Sequence, residues 1–89
     1  MEIQSKLAAL VDLAEELGIS VRRVPLAGES AEHPGGALVK LKGREMFFLD
    51  PTAAPADQVA ALGAALKGRP EIEDRFLPPE IRDAIDAKE

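Results

Sequence analysis

The chain has 89 residues and a mass of 9.5 kDa, and its 16 acidic and 11 basic residues give a net charge of −5. Hydrophobic residues make up 46%, three residues are aromatic and none is cysteine. This size predicts one small domain over residues 1–89. The composition excludes a disulfide or cysteine-ligated scaffold, and no apolar run approaches the ~20 residues that span a bilayer. Because the first residues lack the pattern of a secretory signal, we expect a cytoplasmic protein without a membrane partner.

The first predicted element is a helix over residues 3–17. Its apolar residues recur at spacings of three and four and form one stripe: Ile3, Leu7, Leu10, Val11, Ala14 and Leu17. Gly18 then stands where a left-handed residue ends a helix, and Ile19 is placed to fold back onto the last turn.

A short strand over residues 19–26 is predicted next. It is rich in β-branched residues and contains Pro25, which is tolerated at the edge of a sheet. The following residues 27–36, AGESAEHPGG, have no periodicity and predict a loop.

Residues 37–50, ALVKLKGREMFFLD, predict a β-hairpin around Gly43. The turn is either Lys42-Gly43 or Gly43-Arg44, because glycine supplies the positive φ in both. In either register the same residues share a face. One face carries Ala37, Val39, Leu41, Met46 and Phe48, and the other carries Leu38, Lys40, Lys42, Phe47 and Leu49.

A second helix is predicted at about 55–67, with Pro55 in its first turn and Gly68 after its end. Gly63 inside this helix costs ~1 kcal/mol relative to alanine, so we expect close packing there. Residues 69–89 predict a proline-broken helical tail with a last helix at about 79–87.

These elements predict an α+β fold of order αβββα plus the C-terminal helical tail. The sheet is expected to be three-stranded and mainly antiparallel. The first two helices are expected to pack mainly on one face, the one that carries Val39 and Phe48.

No catalytic, cofactor or metal site is predicted. The single histidine, His33, lies in the loop and has no partner set for zinc or acid–base chemistry. Gly35-Gly36 leads into a strand, whereas phosphate loops lead into a helix, so a loop hinge is favoured. Asp50 before Pro51 is typical of a residue that caps a turn or the next helix. The tail carboxylates predict a solvated helical surface: Glu71, Glu73, Asp74, Glu80, Asp83 and Asp86.

Residues 13–24, LAEELGISVRRV, resemble the turn of a bacterial helix-turn-helix. A recognition helix starting near Ser20 would meet Pro25 after one turn, which argues against DNA reading. Basic residues that could contact nucleic acid lack an aromatic platform, and the net charge is negative: Arg22, Arg23, Lys40, Lys42 and Arg44. We therefore expect no nucleic-acid partner.

The run LAEELGISVRRVPL, a glycine loop, a hairpin ending in FFLD and a following helix resemble the front half of ImmA/IrrE-type zinc metallopeptidases. In that family the helix after the hairpin carries HExxH. Here the stretch is VAALGAALK (59–67), and the motif positions fall near Leu62, Gly63 and Leu66, which cannot bind zinc. The resemblance covers about 70 residues and implies a shared layout without peptidase activity. The chain also resembles short uncharacterised bacterial proteins.

A partner-binding surface is predicted on the hairpin face away from the first two helices, formed by Leu38, Lys40, Phe47 and Leu49. Burying Phe47 or Leu49 is worth ~1.5–3 kcal/mol each, so a cover is expected. The tail is favoured as cover, within the chain or exchanged in a homodimer; a second copy or another protein are alternatives. The outer edge of the 19–26 strand is a second possible contact surface.

The function expected from these features is a non-enzymatic protein-interaction or oligomerisation domain. The alternative is a small-ligand-binding or enzyme accessory module that uses the 27–36 loop.

Overall fold

The computed structural model describes residues 1–25 and 35–86. The helices are α1 (Ile3–Glu16), α2 (Pro55–Leu66), α3 (Pro70–Glu73) and α4 (Pro79–Asp86), and the strands are β1 (Ser20–Arg23), β2 (Gly36–Leu41) and β3 (Arg44–Leu49). The α+β class and the predicted order αβββα with a helical tail are confirmed.

The end of α1 follows the predicted mechanism. Gly18 has a φ of +88°, and the Ile19 N–H donates to the Ala14 carbonyl over 3.0 Å. Ile19 is buried, so the chain folds back onto the last turn of α1 before β1 begins.

The sheet has the strand order β1-β3-β2 and is mixed. β2 and β3 pair antiparallel, whereas β1 and β3 pair parallel, so the predicted antiparallel character holds for one of the two pairs. β1 and β2 lie at opposite edges of the sheet, and β3 lies between them. The expectation that the first strand lies at an edge is confirmed.

The hairpin turn is Lys42-Gly43. Both residues have positive φ, +51° and +79°, as a type I′ turn requires. Leu41 consequently pairs with Arg44, and Lys40 pairs with Glu45.

The predicted packing of α1 and α2 on the Val39/Phe48 face is wrong. Phe47 and Leu49 are buried at 1% and 0% exposure, whereas Val39 and Leu41 on the opposite face are 37% and 58% exposed. Val21 pairs with Phe47 and extends the buried face onto β1. The central strand thus directs Phe47 and Leu49 toward the helices, and Val39 and Leu41 of β2, which point the other way, stay in contact with solvent.

The C-terminal tail covers helices instead of the sheet. α4 packs on α2 and α1, and Ile72, Ile81 and Ile85 enter the core at 1–2% exposure. The Arg82 guanidinium donates to the carbonyls of Ile72 and Arg75, which fixes α3 relative to α4. The expectation that the tail covers Phe47 and Leu49 is therefore wrong, because α1 and α2 already occupy that side of the sheet.

Gly63 permits the contact between α2 and α4. A Cβ at this position would collide with the Ala84 carbonyl oxygen and lie 3.1 Å from the Ala84 carbonyl carbon. The close packing expected to compensate for a glycine inside a helix is confirmed.

We predict that Gly63→Ala destabilises the protein although alanine is the better helix former. The gain in helix propensity is ~1 kcal/mol, and overpacking against a backbone carbonyl costs ~1–3 kcal/mol. Urea unfolding should show a net loss of stability. Ala8→Gly on the exposed side of α1 serves as control, because it reports the propensity difference at a position outside the contact between α2 and α4. An increase in stability for Gly63→Ala would contradict the close contact.

Candidate functional site

The four predicted partner-binding residues do not share one open surface. Phe47 and Leu49 lie in the core beneath the helices, Leu38 is partly buried and Lys40 is exposed. Phe47 and Leu49 therefore offer a partner almost no exposed surface, although Phe47 borders a groove between β2 and α2. A partner contact at Leu38 and Lys40 stays a prediction, and both residues belong to the edge strand β2.

The outer edge of β2 presents backbone hydrogen-bonding groups. The Asp50 N–H donates to the Gly35 carbonyl over 3.1 Å. Gly35 and Asp50 therefore form a hydrogen-bonded antiparallel pair, and the backbone N–H and C=O of Gly35 point toward the strand that contains β3. Alternate residues of an antiparallel strand point to opposite sides, so the N–H and C=O groups of Gly36, Leu38 and Lys40 point outward. In residues 1–25 and 35–86 no strand pairs with this side of β2.

An apolar groove lies between β2 and α2. Its volume is about 250 Å³, and it is lined by Gly36, Ala37, Leu38, Phe47, Ala61, Ala64 and Ala65. The helix contributes only alanine methyl groups to this wall, so the space between the helix and the edge strand is not filled from within the described chain.

The outer side of α2 continues the apolar wall of the groove. Asp57, Ala60, Ala64 and Lys67 are all exposed, and their spacing of three and four places them in one stripe. The helix has only two polar residues, Asp57 and Gln58, and Gln58 is buried with its side-chain amide donating to the Ala53 carbonyl over 2.8 Å. A helix that is apolar on nearly all sides is typical of a helix covered on nearly all sides.

The glycine pair before β2 has a packing role. A Cβ on Gly35 would collide with the Asp57 carbonyl, and one on Gly36 would lie 2.5 Å from the Phe48 carbonyl oxygen and 2.7 Å from the Phe47 ring. These glycines bring β2 close to the start of α2 and to the buried aromatic ring. A hinge at this pair stays a prediction. The rest of the loop, including His33, lies outside the described residues.

The face of the sheet opposite α1 and α2, which no helix of the described residues covers and which we call the uncovered face, is a second apolar surface. Arg22 pairs with Phe48, and Arg44 pairs with Leu41, so both arginines belong to this face, whereas the pairing parity places Arg23 and Lys40 on the helix side. The basic residues of the strands are thus divided between two faces.

The remaining sequence candidates are engaged or solvated. Asp50 caps its turn as predicted, since its Oδ1 accepts from the Thr52 N–H at 2.9 Å and from the Thr52 hydroxyl at 2.6 Å. The carboxylates of the tail are exposed as predicted. Leu62, Gly63 and Leu66, where the peptidase resemblance locates its motif, are buried.

Within the described residues, no group of three or more histidine, cysteine, aspartate or glutamate side chains is placed to hold a metal ion. No helix in this part of the chain has the length and apolarity that a membrane span requires. Comparison with protein families, curated proteins and solved structures finds no match.

A bidentate ion pair joins the hairpin to the end of α2, next to the groove. The Arg69 guanidinium donates to both oxygens of Glu45 at 2.9 and 2.5 Å, and its Nε donates to the Ala65 carbonyl at 3.1 Å. The hydrogen bond from Arg69 lowers the pKa of Glu45 against the opposing effect of burial, and the same bond raises the pKa of Arg69.

We predict that this pair stabilises the fold at neutral pH and not in acid. The folded-state pKa of Glu45 lies below its unfolded value of about 4.3, so the contribution is complete above that value and is lost as the pH falls through the lower pKa. Glu45→Gln should lower the free energy of unfolding by about 0.5–1 kcal/mol at pH 7, with a smaller difference in acid.

Glu16→Gln is the matched control for this measurement. Glu16 pairs with Arg75 at 2.6 Å, but its side chain is 59% exposed, whereas that of Glu45 is 24% exposed. We expect a smaller effect from the exposed pair. Equal losses for the two variants, or a loss for Glu45→Gln that persists in strong acid, would contradict the assigned role.

Proposed function

We propose that this protein is a non-enzymatic protein-interaction domain. Its contact surface is the outer edge of β2, the adjoining groove and the exposed stripe of α2, called here the β2–α2 surface. The observation that carries the proposal is the edge strand with outward backbone groups beside an apolar groove. A bacterial source and a cytoplasmic location stay part of the proposal.

The β2–α2 surface has the features of a site for β-strand addition. In that mode of recognition an extended segment pairs with an exposed edge strand, and its alternate side chains enter pockets beside the strand. Leu38 and Gly36 supply outward backbone groups and also line the groove, so the same stretch of chain offers hydrogen bonds and an apolar pocket.

The other edge of the sheet supports such an interaction less well. β1 has four residues against six in β2, it is followed by Pro25, and it is packed against α1. Proline cannot donate a backbone hydrogen bond, which shortens the pairing that β1 can offer.

The alternative of a small-ligand module rests on the 27–36 loop. Only Gly35 and Gly36 of this loop belong to the described residues. Gly35 packs against the backbone of Asp57, and Gly36 packs against Phe47 and Phe48. No observation in the described chain favours this alternative over the interaction domain.

We predict that Ala64→Arg removes the chain from its native assembly and leaves the fold intact. Ala64 is exposed on a helix that tolerates arginine, and the long charged side chain would block the groove. The measurement is the sedimentation of the tagged full chain in extract of its source cells. The wild-type chain should sediment as a species larger than the tagged monomer, and the variant as the tagged monomer.

Ala8→Arg is the matched control, since Ala8 is an exposed alanine on α1 and the change adds the same side chain and charge. It should keep the larger species. Thermal unfolding of both purified variants checks that the fold survives. A wild-type chain that sediments as a monomer in the extract would overturn the proposal, and so would loss of the assembly with both variants.

A further inference from the structure

We propose that the occupant of the β2–α2 surface is a second copy of this chain, paired antiparallel through β2 and centred on Leu38. The inference rests on the proposed function and names its partner. The result is a two-fold dimer with a continuous sheet, to which each copy contributes three strands.

The backbone determines the register. A two-fold axis perpendicular to the sheet keeps the helix side of both copies on the same side. Each residue of β2 must then pair with a residue of the second copy that points to the same side, and such residues are an even number of positions apart. The axis therefore passes through a residue and not between two residues. The outward groups belong to Gly36, Leu38 and Lys40, and a hydrogen-bonded pair joins two outward residues. An axis at Leu38 pairs Leu38 with itself and Gly36 with Lys40 of the second copy, for about six backbone hydrogen bonds. An axis at Val39 would leave Gly36 without a strand partner.

The side chains complement each other in this register. Leu38 lies on the helix side of the sheet and lines its own groove, so Leu38 of the second copy would lie beside it and fill the space in front of the α2 alanines. Lys40 would lie opposite Gly36, which has no side chain to compete for space. Each copy thus fills the groove of the other, as an interface between identical surfaces requires.

The charges also favour a second copy. The stripe on α2 has Asp57 near its N-terminal end and Lys67 just after its C-terminal end, with exposed alanines between them. Two-fold symmetry places the two α2 helices side by side and antiparallel, so each acidic end is nearest to the basic end of the other copy. The two Lys40 Cα atoms would be about 14 Å apart along the strands, which exceeds the screening length of about 8–10 Å.

The uncovered face of the sheet does not offer the same match. Arg22 and Arg44 both lie on it, so two copies packed face to face would bring like charges together. The edge arrangement leaves these arginines in solvent.

The first test is the mass of the purified chain by light scattering over a wide dilution series. We expect about 19 kDa, twice the 9.5 kDa chain mass, at high concentration, with dissociation on dilution. Ala64→Arg should raise the dimer dissociation constant about tenfold or more, because a bulky charge would enter the groove. Ala8→Arg should leave it unchanged.

The second test locates the axis by single cysteines, which the natural chain lacks. Leu38→Cys should form a disulfide-linked dimer on mild oxidation, because directly opposed residues have Cα atoms about 5.5 Å apart. Val39→Cys and Lys40→Cys are the controls. They lie farther from their own counterparts than the ~7 Å that a disulfide spans.

Each outcome separates the two proposals. A dimer mass with cross-linking at position 38 supports the second copy. A dimer that cross-links at 39 or 40 instead, cross-links at none of the three positions, or resists Ala64→Arg overturns the Leu38-centred interface. A purified chain that is monomeric at all concentrations overturns the second copy as partner. If Ala64→Arg still abolishes the assembly in extract, the proposed function stands with a different partner.

Discussion

The burial of Phe47 and Leu49 against α1 and α2 is the contact on which the rest of the structure depends. These side chains point from the central strand into the helix layer, at 1% and 0% exposure. Gly36 provides room for the Phe47 ring on the neighbouring strand, and Gly35 brings β2 up to the start of α2. Because the helices cover this face, the groove lies on the same side between β2 and α2, and Arg22 and Arg44 lie on the opposite face.

α2 meets two different demands along one short sequence. Toward the core it uses Leu62 and Leu66, together with Gly63, whose missing side chain lets α4 approach. Toward the edge of the sheet it presents alanines, which are too small to fill the space that they border. The helix is therefore well packed on one side and leaves an apolar groove on the other. The groove lies beside the unpaired edge of β2, and for this reason we propose the edge of the sheet, and not either face, as the contact surface.

Part of the proposed interaction surface is predictable from the sequence. The hairpin pattern predicts which side chains share a face, and the apolar character of one face predicts Leu38 and Lys40 as partner contacts. Phe47 and Leu49 share that face but lie on the central strand, where the helices of the same chain cover them. The side chains of β2 do not indicate that its outer backbone groups are unpaired, because the strand order decides which strand lies at the edge of the sheet. The sequence shows that α2 is rich in alanine, but the groove follows only from the position of these alanines beside the edge strand.

The sequence alone determined the local structure. It predicted the end of α1 at Gly18, the type of hairpin turn to within two choices, the close contact at Gly63 and the α+β order, because each depends on residues near one another in the chain. Tertiary structure decided the parallel pairing of β1 with β3, the place of the tail on the helices and the face of the sheet that is buried. Both faces of the hairpin are apolar enough to form a core. The choice between them therefore depends on distant residues. Here these are the leucines of α1 and α2, which share the core with Phe47 and Leu49, and Gly36, which leaves room for the Phe47 ring.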